Sequence, residues 1–415
     1  MKSAKEKIWD VIVIGGGPAG MMAAGRAAER GKAVVLLEKN ATLGKKLLIT
    51  GGGRCNVTNN TPEVRIILAK YKKSDKFLFS TFSQFAVEQT LNFFHGRGMS
   101  TKVENERRVF PISNSAASVC AVLIQYLKQG GVVARTNATV SGISVEGGVF
   151  TISLRGGEKL RGTSCIVAAG GTSRPETGST GEGYRWIEKF GHTTVQNDFA
   201  LVPIALKDAW AKKLGGVTLT DIKLTVLQDG KKQDSQKGKL LFTHFGVSGP
   251  MVLNMSRNIG ELLDYGGVTM RLDLFPGLDQ GSLKQQLQVL LVTQSNKKIK
   301  NVLGALVPKA IVEGLLGLAG VDGETPNHSV RSSERVKLVS LLKAIPLNVE
   351  GLLGADKAVV SSGGVVPEEI DFKTMQSRLV PNLYIIGDML NIDRPSGGYS
   401  LQLCWTTGFV AGDHA

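Results

Sequence analysis

At 415 residues, 42% of them apolar and with a mean hydropathy of +0.03, the chain is long enough for two or three domains and can fill real cores, while no apolar run reaches the ~18 residues a membrane span needs. The formal charge of +15 is spread over separated lysine pairs such as Lys72-Lys73, Lys212-Lys213, Lys231-Lys232 and Lys297-Lys298, which reads as a solvated basic surface without an aromatic-interleaved RNA signature, so no nucleic-acid partner is expected. Cys55, Cys120, Cys165 and Cys404 form no C-x-x-C, which argues against a local redox dithiol and against a cysteine zinc site; no metal is expected.

Met1–Lys7 leads directly into a strand pattern, leaving no room for a secretory leader, so a cytoplasmic protein is expected. Asp10–Ile14 is a short apolar run of the buried parallel-strand kind. Gly15, Gly17 and Gly20 follow at G-x-G-x-x-G spacing, with Pro18 and Ala19 between them, and Met21–Glu29 reads as a helix. A second strand, Ala33–Leu37, ends at Glu38, with Lys39 beside it. Each part has a mechanical role. Gly15 turns the chain sharply, Gly17 leaves room for a pyrophosphate, and Gly20 lets helix and strand approach. The helix N-terminus offers N–H groups to the phosphates, and a carboxylate at Glu38 can accept both ribose hydroxyls. Strand, turn, helix, strand and acid in this order predict dinucleotide binding.

Gly44 and Lys45 can reach the pyrophosphate. Thr50, Gly51, Gly52, Gly53, Arg54, Cys55 and Asn56 form a glycine-dense loop suited to lie against a flat ring. Residues 62–100 read as mainly helical, with Phe77, Phe79, Phe82, Phe85, Phe93 and Phe94 as core. Ser115–Gln129 reads as a helix, then Val132–Ala134 and Thr139–Val145 as strands with a hairpin at Phe150–Leu160, a layout that puts Val140 beside the adenine. Cys165–Gly171 is another buried strand, and its end at Ala169 and Gly170 lets backbone run along a dinucleotide. Thr177–Gly183 does not follow a strand and is not read as a second fingerprint. His192, just past a helix end, reads as structural.

From about Val195 to Lys357 the pattern changes. Ala200–Leu206, Leu219–Gln228, Lys239–Thr243 and Val268–Leu274 read as antiparallel strands, with a hairpin near Asp229-Gly230. Ser282–Val292, Pro308–Leu318 and Ser333–Leu342 read as helices. His244 ends a strand and is the best-placed histidine for proton transfer, with Ser248 as cap of a helix starting near Pro250. The last stretch returns to the first pattern: Leu383–Ile386 is a strand ending in Gly387 and Asp388, whose carboxylate can accept a ribitol-type hydroxyl. Ser396–Gln402 then opens a final helix running to about Ala411. The N–H groups around Gly398, Tyr399, Ser400 and Leu401 can face a ring that gains negative charge on reduction.

Val13–Gly20, Gly51–Asn59, Arg108–Pro111, Ala168–Gly171, Thr177–Gly183, Thr243–Pro250 and Gly397–Gln402 together resemble the two-dinucleotide-binding-domains flavoproteins, and more closely the BaiN-like (YhiN-like) family, also called aminoacetone oxidase family FAD-binding enzymes. The resemblance runs along nearly the whole chain. It implies an α/β fold: a Rossmann-like FAD-binding domain of glutathione-reductase type over 1–194 and 358–415, interrupted by an inserted β-barrel-like domain (195–275 and 344–357) with a small helical subdomain (276–343). It also implies FAD as cofactor and puts Cys55 near the flavin. Asp388 stands where many relatives carry Glu, and Ser400 and Leu403-Cys404 replace an Asn and a Trp-Ala frequent there. The expected activity is an FAD-dependent oxidoreductase passing hydride through the flavin N5 to or from a small organic substrate near His244 and Arg54, with NAD(P)H as a candidate transient donor. An RNA-associated flavoenzyme and a non-catalytic flavin-binding protein are the alternatives.

Overall fold

A computed structural model describes residues 7–196, 201–354 and 363–415. The chain divides into two compact units, residues 1–199 with 358–415, and residues 200–357. The first residue of the strand expected at Ala200–Leu206, and the expected return of the chain near 358, lie outside the described residues.

The first unit is built on a parallel sheet. Strands Val133–Arg135, Val34–Leu37, Ile8–Ile14, Lys159–Val167 and Leu383–Ile385 lie side by side in that order, and Gln376–Ser377 and Ile370–Asp371 extend the edge antiparallel. Val11–Val13 are fully buried, as a strand with helices on both faces requires. On the edge away from Ile8–Ile14, Lys159–Val167 serves two partners: its first half pairs with Val149–Leu154, which in turn pairs with Val140–Glu146, and its second half takes Leu383–Ile385, Leu383 opposite Cys165. The C-terminal strand therefore lies next but one to the N-terminal strand. A short antiparallel pair, Thr194–Gln196 with Gly363–Val365, joins the two segments of this unit. Helix Pro18–Glu29 packs along the C-terminal helix Tyr399–His414, where a Cβ at Gly408 would stand 2.5 Å from the Ala19 carbonyl oxygen.

Residues 62–100 form helices Val64–Leu68, Asp75–Gln84 and Val87–His95. Phe79, expected in the core, is 54% exposed. Leu78, Thr81 and Phe82 form the buried stripe of Asp75–Gln84, and Phe79 falls outside it. His192 is structural, as expected: Nδ1 meets Glu369 Oε2 and Nε2 meets Ser377 Oγ, both at 2.8 Å.

The second unit is a closed antiparallel barrel in the order Ile204–Leu206, Gly246–Ser248, Lys231–Thr243, Thr218–Gln228, Val268–Asp273, Ile345–Leu352, the last pairing back to the first. Asp229 and Gly230, both at positive φ (49° and 74°), make the expected hairpin turn. The helix near Pro250 is present as Pro250–Leu263, but its N-cap is Gly249 at φ 101°; Ser248 belongs to a strand and caps nothing. Helices Gln280–Thr293, Lys309–Ala319 and Ser332–Lys343 share an apolar core with the barrel, together with Ile299–Leu306, a helix the sequence pattern did not announce.

Candidate functional site

The strand Ile8–Ile14 ends at Gly15, whose φ of 107° and tight surroundings leave no room for a side chain: a Cβ there would stand 2.3 Å from the Ala168 carbonyl oxygen. At Gly20 it would stand 1.9 Å from the Gly15 oxygen. These two glycines let the first strand, the helix and the strand Lys159–Val167 meet. Gly17 is different, since no atom lies within 4 Å of its Cβ position and its φ of −79° suits any residue. That position opens on a cleft. Helix Pro18–Glu29 begins there without a side-chain cap, so its first N–H groups remain without intrahelical acceptors.

Glu38 forms one wall and is buried. Its Oε2 accepts the Gly16 N–H at 2.7 Å, and its Oε1 accepts Asn40 N–H at 2.8 Å and Asn40 Nδ2 at 2.7 Å. The carboxylate thus fixes the turn and retains acceptor capacity on the cleft side. Lys39 spans to the facing loop, donating to Thr180 Oγ1 at 2.8 Å and pairing with Glu182 at 2.9 Å. Val140, Ala169, Gly170, Lys45 and Asp388 also line the cleft, as do Pro18 and Ala19. Nucleotide-site candidates from both extremities of the chain therefore share one cavity.

The remaining expected residues lie outside the lining. The Gly44 N–H is taken by the Gly16 carbonyl at 2.9 Å. A Cβ at Gly387 would stand 3.0 Å from Ala19 Cβ. The loop Thr50–Asn56 and the helix start Gly398–Leu401 are instead joined through the segment between them. A Cβ at Gly398 would stand 2.4 Å from the Thr58 carbonyl carbon. Thr58 Oγ1 donates to Gln402 Oε1 at 2.6 Å, and Trp405 Nε1 donates to the Val57 oxygen at 2.9 Å. Tyr71 O–H donates to the Tyr399 oxygen at 2.9 Å. The C-terminal helix begins without a side-chain cap, so its first-turn N–H groups stay available. Asn56 Oδ1, buried beside the glycine loop, has no hydrogen-bond partner among the described residues.

Several residues of the cleft were not among the site residues expected from the sequence. Arg394 is almost wholly buried, with Nη2 on Asp388 Oδ1, Nη1 on the Ile392 oxygen at 2.6 Å and Nε on Ser400 Oγ at 3.1 Å. Lys46 donates to Ser173 Oγ at 2.7 Å and lies 3.4 Å from Asp388 Oδ2. Burial pushes the Asp388 carboxyl up, Arg394 and Lys46 pull it down, and the net position is below the usual carboxylate range. Thr177–Thr180 and Glu182 form part of the cleft wall, as does Cys404. Burial raises the thiols of Cys404 and Cys55 to about 12. Cys55 lies fully buried at φ 61°.

Arg54 stacks on the Phe110 ring at 4.2 Å, donates to Asn114 Oδ1 at 2.7 Å through Nη2 and pairs with Glu104, while keeping 37% of its side chain exposed. His244 belongs to the second unit. It is exposed, edge-on to Phe245 at 4.8 Å, and makes no hydrogen bond among the described residues.

The cleft fits a flavin adenine dinucleotide in its observed features: an open glycine position at a helix N-terminus, an anchored carboxylate about twenty residues on, and a second anchored carboxylate at the far wall. The fold is that of a Rossmann-like FAD-binding flavoprotein. The family described as HI0933-like protein Rossmann domain matches residues 9–414, and the chain belongs to that FAD-binding family as one of its oxidoreductases. It is 31% identical over 404 residues to the 3-dehydro-bile acid delta(4,6)-reductase of Clostridium scindens, covering 96% of this chain and 97% of the relative. It is 29% identical to a protein of Escherichia coli named ribosomal RNA dihydrouridine synthase, covering 97% and 96%. Among solved structures, the open conformation of a flavocytochrome c3 fumarate reductase matches with a TM-score of 0.55 at 15% identity, covering 99% of this chain and 78% of that one. The 3-ketosteroid delta1-dehydrogenase of Sterolibacterium denitrificans matches with a TM-score of 0.55 at 14% identity, covering 98% and 99%; at these identities the likeness concerns the fold. No helix among the described residues is long and apolar enough to cross a membrane.

Proposed function

We propose that the chain holds FAD in the Gly15–Asp388 cleft and reduces a carbon–carbon double bond conjugated to a carbonyl. The convergence of Gly17, Glu38, Gly170 and Asp388 on one cavity carries the first half of this reading. The names of the relatives support the second half. A delta(4,6)-reductase of a 3-dehydro bile acid and a dihydrouridine synthase both saturate a ring double bond, and a 3-oxo steroid ring or a uracil can place a carbonyl in conjugation with it. Conjugation makes the far carbon an acceptor for hydride.

When bound and reduced by a two-electron donor such as NAD(P)H, the flavin would supply hydride chemistry. The protein groups bind and orient. Glu38 holds the ribose end, and the free N–H groups of helix Pro18–Glu29 with Lys45 and Lys46 meet the pyrophosphate. Asp388, fixed by Arg394, holds a ribityl hydroxyl. The first-turn N–H groups of Tyr399–His414 stabilise negative charge. Arg54 is assigned to positioning the substrate carbonyl, and solvent supplies the proton that completes the reduction.

The test is anaerobic. The yellow protein is reduced with NADH or NADPH, then mixed with a cyclic enone, a saturated ketone and an isolated alkene. Reoxidation by the enone alone is expected. Reoxidation only when oxygen is admitted would remove the reductase assignment.

A second reading keeps this chemistry and makes the substrate a uracil base in RNA. It is favoured by the names of two relatives matched along 96% of their own lengths, from Escherichia coli and Haemophilus influenzae, and by the charge of +15.

A further inference from the structure

The outer wall of the barrel carries a lattice of cations that the register of three strands creates. Lys223 lies directly opposite Lys237 on one side and opposite Asp273 on the other. In the next outward row Thr225 lies between Ser235 and Arg271, and in the row after that Leu227 lies between Lys232 and Thr269. Like charges placed directly across a ladder destabilise a sheet. The carboxylate of Asp273, opposite Lys223, is paired with Lys343 at 2.8 Å, and among the described residues Asp221, on the rim beside Lys237, makes no ion pair with it. Among the described residues Lys223, Lys232, Lys237 and Arg271 make no ion pair with any carboxylate. These four surround a hydroxyl pair, Thr225 Oγ1 and Ser235 Oγ, 3.2 Å apart.

The end of this ladder nearest Lys232, away from Lys223 and Lys237, presents an aromatic ring. Tyr265 is 84% exposed, the most exposed of the large apolar and aromatic side chains described. It stands in the turn between helix Pro250–Leu263 and strand Val268–Asp273. That turn adjoins Gln228, which donates to the Leu262 oxygen at 2.6 Å and pairs in register with Val268 and Lys231. The sequence shows no aromatic among these lysines; the fold brings one from 28 or more residues away.

We infer that this face of the barrel is a docking surface for single-stranded RNA, with the phosphate backbone on Lys223, Lys232, Lys237 and Arg271 and a base stacked on Tyr265. The cations spread over three strands spaced about 4.8 Å apart, wider than a single phosphate and suited to a run of them. A basic track with an aromatic platform is how single strands are held without sequence preference. The patch offers hydroxyls and cations but no insertion of apolar side chains, which disfavours a lipid surface. The inference rests on the RNA reading of the function.

The experiment uses the full chain loaded with FAD and a labelled single-stranded poly(U) RNA across a series of KCl concentrations. The combined variant Lys223→Ala, Lys237→Ala and Arg271→Ala is expected to bind more than tenfold more weakly. Its slope of log affinity against log salt should fall by about 2, at about 0.7 per lost phosphate contact. Tyr265→Ala should weaken binding roughly tenfold with the slope unchanged. Flavin content, thermal melt and enone-driven flavin reoxidation serve as controls and stay at the wild-type level. If the wild type binds poly(U) and the triple variant keeps both affinity and slope, this surface assignment fails while the RNA reading stands. If the wild type binds no RNA, the RNA reading falls and takes the surface with it. If the triple variant loses binding to phosphatidylglycerol vesicles but not to RNA, the face belongs to a lipid and the inference is overturned.

Discussion

Arg394 and Asp388 form a buried ion pair at the wall of the nucleotide cleft, with the arginine side chain 1% exposed and the aspartate 16%. The pair ties the end of the Leu383–Ile385 strand to the first turn of the C-terminal helix, because the Arg394 Nε also reaches Ser400. Breaking such a pair from one side strands a charge and costs about 3–5 kcal/mol. Arg394→Met should lower both stability and FAD affinity. Arg394→Lys should recover part of each, and Asp388→Asn in the Met background should recover stability but not affinity.

The pair also sets a pH dependence. The Asp388 carboxyl sits below its ordinary value in the folded chain. Its contribution is therefore complete above the unfolded value of about 4 and is lost as pH falls through the lowered folded value. In Arg394→Met the carboxyl rises towards its unfolded value, so less stability is lost on acidification. Melts between neutral and acid pH should show the variant starting from a lower Tm and falling less steeply than wild type. Parallel Tm curves would contradict the assignment.

Glu38 holds the glycine turn from one side and faces the cleft from the other. Glu38→Ala removes three hydrogen bonds and should weaken FAD binding by roughly 1–3 kcal/mol while lowering Tm. Glu38→Gln keeps an acceptor for one donor and should fall between. Equilibrium FAD titration of each apoprotein reads the order directly.

All four cysteines are free and buried, and burial raises each thiol. None is a thiolate near neutral pH, which agrees with a flavin that acts without a disulfide partner. Native protein should show no rapidly reacting thiol with an aromatic disulfide reagent, and four after denaturation. A fast native thiol would reopen a dithiol mechanism.

Much of the first unit could be read from sequence because its signals are local. Strand, glycine turn, helix and acid lie within forty residues, and the apolar run at Leu383–Ile385 announces a buried parallel strand. The residues missed are those that act through distant neighbours. Arg394 stands in an irregular segment with no periodicity, and only the fold shows that it reaches Asp388. Thr177–Thr180 follow no strand, so fingerprint logic does not reach the wall they form. Cys404 reads as plain helix packing until the helix is placed beside the cleft. Phe79 fails for the opposite reason: aromatic density suggests core, but two residues along a helix turn a side chain by about 200°. The Lys223–Lys237 opposition needs the hairpin register, which the bulges in that ladder displace.

The glycines separate holding FAD from holding the fold, and Gly17 isolates the first. A side chain at Gly15 or Gly20 meets backbone at 2.3 or 1.9 Å, so valine there should unfold the unit. At Gly17 it meets no protein atom within 4 Å and enters only the cleft. The deciding measurement is an FAD titration of wild-type and Gly17→Val apoprotein, followed by flavin absorbance, with melts of both run alongside. The wild type should take up FAD stoichiometrically, and Gly17→Val at least tenfold more weakly with its apoprotein melt unchanged. Full flavin uptake by Gly17→Val, or none by the wild type, would contradict FAD binding in this cleft.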